Sequence, residues 1–156
     1  MSEAPEKQVT VADARDIAFR YLVRREHSCK ELRDKLYRKG IPTEVISQAV
    51  EELEGEDLVS DLRFAQAFTR SRISTLYGPL KIRAELMKRG ITSVLIDQVL
   101  AEHRQIWQES ARLWVLKKRR GALDRTEKAR LYRSGTSRGF SHEHLMQAFD
   151  SIRREL

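Results

Sequence analysis

The sequence holds a single cysteine, Cys29, and no apolar stretch close to the roughly 20 residues that would cross a bilayer. One cysteine excludes an internal disulfide and agrees with a reducing compartment. The first residues, among them Glu3 and Glu6, lack the basic and then apolar pattern of a secretory signal. We therefore expect a cytoplasmic protein without a membrane segment.

Patterns that accompany catalysis or metal binding are also missing. No glycine-rich loop ends in Gly-Lys-Ser or Gly-Lys-Thr, so no phosphate-cradling loop is expected. His142 and His144 lie two residues apart at a helix start and point in different directions, without a cysteine pair or acidic partner at metal spacing. The residues around Cys29 do not include the histidine and the asparagine or aspartate that activate a nucleophilic cysteine, so Cys29 is interpreted as inert. We predict a protein without catalytic residues, metal or cofactor.

What the chain does contain is an internal repeat. The stretch Leu36–Pro42 returns as Leu86–Thr92, a spacing of 50 residues, and apolar positions on both sides match as well. A weaker third copy ends at Arg138-Gly139-Phe140-Ser141. A three-helix unit of this length buries little surface alone, so neighbouring units are expected to stack.

Each copy is typical of one helix ending and the next beginning, where Thr92 or Ser141 can cap the next helix. Ser28-Cys29-Lys30-Glu31 likewise has the spacing of a capping box, and Ser60 is a further candidate cap. Gly40 and Gly90 occupy the position just past a helix, where a left-handed backbone lets the following isoleucine fold back onto Leu36 or Leu86. In the third copy the position of Leu36 is taken by Gly135. We expect that third turn to lack the apolar contact and to be the least rigid.

The predicted fold class is all-α, as an elongated tandem array of three three-helix repeats. Residues 1–9 are predicted to be a disordered segment. The repeats are assigned to residues 10–54, 55–103 and 104–156, and the helices of the last to about 104–119, 124–134 and 141–154. Trp107 and Trp114, seven residues apart on one helix face, are predicted to be core rather than a base-stacking platform.

Net charge is +7, and the basic excess belongs to the third repeat. Residues 104–156 carry 13 basic and 6 acidic side chains, whereas the two earlier repeats are nearly balanced. Such a segment favours polyanions or an acidic protein surface. The alternative is a solvated basic face with no partner. The candidate binding residues are Arg112, Lys117, Lys118, Arg119, Arg120, Arg125, Lys128, Arg130, Arg133 and Arg138.

A helix-turn-helix reader of DNA sequence is one alternative, because each repeat joins two helices by a short glycine turn. The second helix of such a pair enters the major groove beside phosphates. Here that helix carries acidic residues in both copies: Glu44, Glu51, Glu52 and Glu54 in the first, and Asp97 and Glu102 in the second. The acidic charges argue against base reading by the first two repeats.

Taken in order, the motifs resemble those of the bacterial RecX regulatory proteins over about residues 12–150. One departure is Ser134-Gly135, where such proteins place an aromatic residue and a leucine. The motifs that carry the resemblance are Ser28–Leu36 with Lys39-Gly40-Ile41, Leu58-Val59-Ser60-Asp61-Leu62-Arg63-Phe64-Ala65, Tyr77-Gly78-Pro79 with Glu85-Leu86, Arg89-Gly90-Ile91, and Arg138-Gly139-Phe140-Ser141.

The resemblance implies a cytoplasmic modulator of the RecA recombinase, with effects on recombination, DNA repair and the SOS response. Such a protein lodges in the groove of the RecA–single-stranded DNA filament and inhibits strand exchange, ATP hydrolysis and co-protease activity. It is not an enzyme, and we expect a monomer that could also touch DNA directly. Two alternatives stay open: a nonspecific basic helical DNA-binding module that acts independently of RecA, and a helical scaffold for another partner.

Overall fold

The computed structural model describes residues 8–155, and over this range the chain forms α-helices and turns without a β-strand. The structure therefore confirms the predicted all-α class. Residues 1–7 of the predicted disordered segment 1–9 lie outside the described residues. The helices are α1 Val11–Arg24, α2 Cys29–Arg38, α3 Thr43–Gly55, α4 Asp61–Ser74, α5 Pro79–Lys88, α6 Ser93–Ala101, α7 Trp107–Lys118, α8 Arg125–Arg138 and α9 His142–Glu155.

The chain divides into two compact units, Met1–Phe64 and Ala65–Leu156. Helices α1 to α3 belong to the first unit and α5 to α9 to the second, while α4 begins in the first and ends in the second. The repeat boundaries 10–54, 55–103 and 104–156 stay a prediction.

Polar side chains cap the helix starts as the sequence indicates. The Ser28 hydroxyl accepts the Glu31 backbone N–H at 3.0 Å, and the Glu31 carboxylate accepts the Ser28 backbone N–H at 3.1 Å, which is the predicted capping box. Ser60 accepts the Arg63 backbone N–H at 3.2 Å. Thr92 caps α6 in the same way.

The repeated glycines end their helices in the left-handed conformation. The φ angle is 82° at Gly40 and 80° at Gly90. The isoleucine after each glycine is 4% exposed, and its N–H donates to the carbonyl of Leu36 at 3.4 Å or of Leu86 at 3.1 Å. The predicted turn, with its apolar contact, is confirmed in both copies.

The third copy differs from the prediction. Helix α8 continues through Gly135 to Arg138, so the expected end near residue 134 is wrong. A Cβ on Gly135 would lie 2.6 Å from a methyl carbon of Leu145 and 3.0 Å from the Trp114 ring. Those side chains fill the space of the missing leucine, and Phe140 is 1% exposed beside Trp114. The apolar contact is therefore supplied from other helices.

Gly139 ends α8 with a φ of 101° and touches a second glycine, Gly78, backbone to backbone. The Gly78 N–H donates to the Arg138 carbonyl at 3.0 Å, and the Leu80 N–H donates to the Gly139 carbonyl at 3.0 Å. A Cβ on Gly139 would lie 2.5 Å from the Lys81 nitrogen and 2.9 Å from the Gly78 oxygen. Within the second unit, the turn before α5 is thus joined directly to the corner between α8 and α9.

Each unit has its own apolar core. In the second unit Trp107 is 5% exposed and Trp114 is 1% exposed, which confirms that both are core residues. Trp114 packs with apolar side chains of α8 and α9, including Leu131, Leu145 and Phe149. The first unit buries Ala14, Ala18, Cys29, Leu32, Leu36, Ile41, Ile46, Ala49, Val50, Leu53 and Val59.

A buried histidine lies at the α1–α2 corner. His27 is 1% exposed, its Nδ1 lies 3.0 Å from the Arg25 carbonyl oxygen, and its Nε2 lies 2.7 Å from the Lys35 ammonium. Nδ1 therefore carries the hydrogen and Nε2 accepts from the lysine. Burial lowers the pKa of His27, and burial likewise lowers the pKa of Lys35. Protonation would place a second cation against the ammonium group.

We expect acid to destabilise the first unit through His27. The pKa of His27 in the folded state lies below the ordinary value near 6.5, so folding favours the neutral ring. The contribution of neutral His27 to the free energy of unfolding is therefore complete above about pH 7.5 and is lost as pH falls toward the folded pKa. The slope is at most about 1.4 kcal/mol per pH unit. Opening free energies from amide hydrogen exchange in α1–α3 at pH 7.5 and 5.5 measure it.

The matched variant is His27→Gln, whose amide can both accept from Lys35 and donate to the Arg25 carbonyl. In this variant the opening free energy of α1–α3 should change less with pH than in the wild type. His144, whose pKa burial also lowers, lies in the second unit and is read separately there. Equal slopes for the wild type and His27→Gln would contradict the assignment.

Two alanine substitutions should separate backbone strain from close contact. Nothing lies within 4 Å of a Cβ on Gly40, so Gly40→Ala should cost only the left-handed conformation, about 1 kcal/mol. Gly139→Ala adds overlap with backbone atoms and should cost about 3 kcal/mol or more. Urea unfolding followed by circular dichroism compares them. Similar losses would show that the Gly78–Gly139 contact relaxes freely.

Candidate basic docking surface

Helices α7 and α8 place most of the candidate cations around one connection. We name this surface the basic tip: Lys117, Lys118, Arg119, Arg120, Arg125 and Lys128. Helix α7 ends at Lys118, where cations interact favourably with the helix dipole. Asp124 starts α8 by accepting the Glu127 N–H at 2.9 Å. Residues 119–124 are therefore held between two defined helix ends.

Arg130 holds the two sides of the basic tip together. Its Nε donates to Glu127 at 2.5 Å, and its terminal nitrogen donates to the Lys118 carbonyl at 3.1 Å. The same Glu127 carboxylate accepts the Arg120 backbone N–H at 2.8 Å. The hydrogen bond from Arg130, and then that from Arg120, lowers the pKa of Glu127. Arg130 is thus used inside the protein, and the loop is fixed by side-chain contacts.

Four of the six cations of the basic tip face solvent, and Arg119 and Lys128 are half-buried. Lys117, Lys118, Arg120 and Arg125 are exposed, and in the described part of the chain none of them forms an ion pair. Residues 117–130 contain seven cations and only two carboxylates, which are occupied with helix capping and with Arg130. The basic tip therefore presents several unneutralised charges on two helix ends and the loop between them. Charges of this kind are suited to phosphate or carboxylate groups.

Besides Arg130, three of the predicted residues lie outside the basic tip. Arg112 pairs with Glu109 at 3.1 Å and Glu155 at 2.5 Å, so it links α7 to the end of α9. Arg133 is exposed further along α8. Arg138 is at the opposite end of α8 from Arg125, about 20 Å away along the helix.

Arg138 is engaged with the turn after α4. Its Nε donates to the Leu76 carbonyl at 3.0 Å, a terminal nitrogen donates to the Thr75 carbonyl, and its guanidinium lies 3.7 Å from the Tyr77 ring centroid. Leu76 has a φ of 62°, a left-handed conformation that is unusual for leucine. The arginine therefore holds a strained turn through its carbonyls.

Sequence reasoning missed the side-chain stack that Arg138 completes. Arg89 and Arg72 lie 4.6 and 4.7 Å from the Phe68 ring centroid, and Arg72 lies 5.3 Å from that of Tyr77. The alternation of arginine and aromatic rings spans α4, α5 and the end of α8. The four-residue spacing of Phe68 and Arg72 was the one available signal, since the other partners are distant in sequence. All five side chains are partly buried, which makes the stack an internal contact.

Neither a membrane span nor a metal cluster is found in the part of the chain that the structure describes. Over residues 8–155 no helix is long and apolar enough to cross a bilayer. The same residues contain no group of three or more histidine, cysteine or acidic side chains that could bind a metal ion. Cys29 is 3% exposed and donates to a Glu54 oxygen at 2.9 Å. Burial, and then this bond, raises the pKa of the thiol, which outweighs the mild gain in thiolate that a helix start favours.

Comparison with known proteins identifies the family. The model of the first three-helix domain of RecX matches residues 14–53, and that of the second three-helix domain matches residues 60–100. The regulatory protein RecX of Legionella pneumophila (strain Corby) is 38% identical over 140 residues, which cover 88% of this chain and 93% of the relative. The chain belongs to the RecX family. The resemblance inferred from the repeat motifs is confirmed.

Further relatives agree with this assignment. The regulatory protein RecX of Halorhodospira halophila (strain DSM 244 / SL1) is 38% identical over 151 residues, 95% of this chain and 91% of the relative. The crystal structure of RecX from Lactobacillus salivarius has a TM-score of 0.81 at 22% identity, covering 92% of this chain and 96% of that one. At that identity the likeness shows the fold alone. A second crystal structure, of a regulatory protein RecX, has a TM-score of 0.77 at 26% identity, covering 90% and 73%.

Arg138 and Arg133 should respond differently to removal of the side chain. Arg138→Ala loses two charge-assisted bonds to carbonyls and the Tyr77 stack, so we expect a cost of about 2–3 kcal/mol. Arg133→Ala removes an exposed cation and should stay within about 0.5 kcal/mol. Urea unfolding followed by tryptophan fluorescence reports on the second unit, because Trp107 and Trp114 both lie there. Equal free energies of unfolding for the two variants would contradict a structural role for Arg138.

Proposed function

We propose that this protein binds the groove of the RecA–single-stranded DNA filament and inhibits strand exchange, ATP hydrolysis and co-protease activity. In this way it modulates recombination, DNA repair and the SOS response as a cytoplasmic monomer without catalytic activity. The observation that carries the proposal is the similarity to regulatory RecX proteins over 88% of the chain. The basic tip supplies a surface suited to the acidic groups of a nucleoprotein filament.

The mechanism uses several modest contacts made together. Successive three-helix repeats that lie along a filament can touch more than one recombinase subunit. The second contact is then made at high effective concentration, so weak contacts combine into stable binding. A protein that binds better to one filament arrangement than to another resists the rearrangements that hydrolysis and strand exchange require.

The basic tip would serve this mechanism by long-range attraction. Lys117, Lys118, Arg120 and Arg125 are exposed and unpaired within the described chain, so their charge acts on approaching phosphates or carboxylates. Arginine can bind such groups through two parallel hydrogen bonds, and lysine adds less directional attraction. Three other candidates act differently: Arg112, Arg130 and Arg138 bind groups within the protein and maintain its structure.

A second candidate function is nonspecific DNA binding that is independent of RecA. The excess of cations in residues 117–130 favours it, because phosphate contacts need no sequence reading. Such a protein would bind DNA with an affinity that falls steeply with salt and is indifferent to the recombinase. A filament-binding protein should instead require RecA for tight association. Co-sedimentation with single-stranded DNA, with and without RecA and an ATP analogue, separates the two.

Neutralising the tip should weaken inhibition. In the variant Lys117→Ala, Lys118→Ala, Arg120→Ala and Arg125→Ala, we expect the concentration that half-inhibits RecA-dependent ATP hydrolysis to rise about tenfold or more at moderate salt. The stability should change little, because these side chains are exposed and unpaired in the described chain.

A matched control removes the same charge from the first unit. Arg20, Arg24, Arg38 and Lys39 are also exposed, and their replacement by alanine should leave inhibition near the wild-type level. Unchanged inhibition by the folded tip variant would reject the tip as the docking surface. Equal losses in both variants would assign the effect to net charge rather than to this surface.

A further inference from the structure

Helix α5 carries an apolar stripe on the side that faces away from the core. Leu80 is 53% exposed and Met87 is 61% exposed, with the exposed Ala84 between them. Spacings of four and three residues place all three on one face of the helix. Ile82 and Leu86, on the opposite face, are fully buried. We call Leu80, Ala84 and Met87 the α5 stripe.

The first repeat shows that the fold does not require an apolar surface here. Fifty residues earlier, the positions of Leu80 and Ala84 are Lys30 and Asp34 on α2. Those two side chains form an ion pair at 3.1 Å on the helix surface. The equivalent face of α2 therefore carries an ion pair and one exposed aromatic side chain, Tyr37 at the position of Met87, whereas all three positions on α5 are apolar. A continuous apolar stripe where the structural counterpart has an ion pair indicates a binding surface.

The charges beside the stripe indicate what covers it. Lys81 and Lys88 lie on adjoining faces of α5, are exposed, and form no ion pair within the described chain. On the other side Arg83 is paired with Asp97 at 2.6 Å. An occupant must therefore offer apolar side chains to the stripe and carboxylates to the two lysines. An acidic amphipathic helix has both on neighbouring faces.

Nucleic acid and a second copy of the chain fit less well. The stripe has no aromatic ring on which a base could stack, and aliphatic carbons have nothing to bind in a phosphate backbone. The most acidic exposed helix of this chain is α3, with Glu44, Glu51 and Glu54. Its exposed side carries no large apolar residue to enter the stripe.

We propose that the α5 stripe, with Lys81 and Lys88, is the docking surface for an acidic amphipathic segment of a protein partner. The inference rests on the proposed function in taking the recombinase as that partner. It adds to the basic tip a second contact surface in the same compact unit, one that works by burial of apolar side chains. The stripe supplies short-range affinity where the tip supplies long-range attraction.

The first repeat provides the test variant. Leu80→Lys with Ala84→Asp installs on α5 the ion pair that Lys30 and Asp34 form on α2, so the helix should stay folded while the stripe is lost. The control is Phe19→Lys with Val23→Asp on α1, an equally spaced and exposed apolar pair in the first unit. Circular dichroism confirms folding of both full-length variants.

Affinity is measured by co-sedimentation with RecA filaments on single-stranded DNA, and for single-stranded DNA alone by fluorescence anisotropy. We expect the α5 variant to bind the filament about tenfold more weakly or worse, with DNA affinity unchanged and with the α1 control equal to the wild type. Filament binding at the wild-type level by the α5 variant would overturn the inference, as would an equal loss in the control. A wild-type chain that fails to bind the filament would instead reject the proposed function and, with it, RecA as the occupant.

Size-exclusion chromatography with light scattering tests whether a second copy of the chain covers the stripe. A wild-type dimer that becomes a monomer in the α5 variant would assign the stripe to a second copy of the chain and overturn the proposal. A wild-type monomer, together with selective loss of filament binding, supports it.

Discussion

The second compact unit depends on two glycines that lie backbone to backbone. Gly78 and Gly139 approach so closely that a side-chain carbon on either would overlap main-chain atoms of the other segment. This approach permits the hydrogen bonds that join the turn before α5 to the corner after α8. Arg138 adds its bonds to the carbonyls of Thr75 and Leu76, which come directly before that turn. The left-handed conformation of Leu76 is thereby stabilised by Arg138, which lies 62 residues later in the sequence.

That junction places both proposed binding surfaces in one unit. Helix α8 runs from the basic tip at Arg125 to the glycine contact after Arg138, and α5 starts at Pro79 beside the same contact. The tip and the α5 stripe are therefore connected through α8 and the glycine pair. A partner that engages both surfaces would encounter two sites held by one rigid corner, so little ordering of the protein is required on binding.

The sequence predicted well whatever depends on local chemistry. Capping by Ser28 and the turns at Gly40 and Gly90 follow from spacing alone, because each interaction lies within a few residues. The buried tryptophans follow from their seven-residue spacing, which places both on one helix face. Gly135 was misread because glycine usually weakens a helix, whereas here it makes room for Leu145 and Trp114 from other helices. This packing is a tertiary contact, so it cannot be predicted from the residues adjacent to Gly135 in the sequence.

The same limit applies to the candidate site. A count of cations could not separate Lys117 or Arg125, which face solvent, from Arg138, whose partner Leu76 lies 62 residues earlier. Arg130 and Arg112 were likewise predicted as ligand-binding residues and are occupied by carboxylates of the protein itself. The ordered motifs identified the family because they record the turns of the fold. The residues proposed to contact a partner are exposed cations that form no ion pair within the described chain.

Charge and apolar area would act at different stages of binding. The field of the basic tip extends about 8–10 Å at physiological salt and therefore acts chiefly on the rate of encounter. The α5 stripe contributes only when water has been excluded between it and its partner, so it acts chiefly on the rate of dissociation. A regulator that must find a filament quickly and then resist its rearrangement needs both. The unequal α2 and α5 surfaces indicate how one repeat can acquire the second property while the other keeps a solvated face.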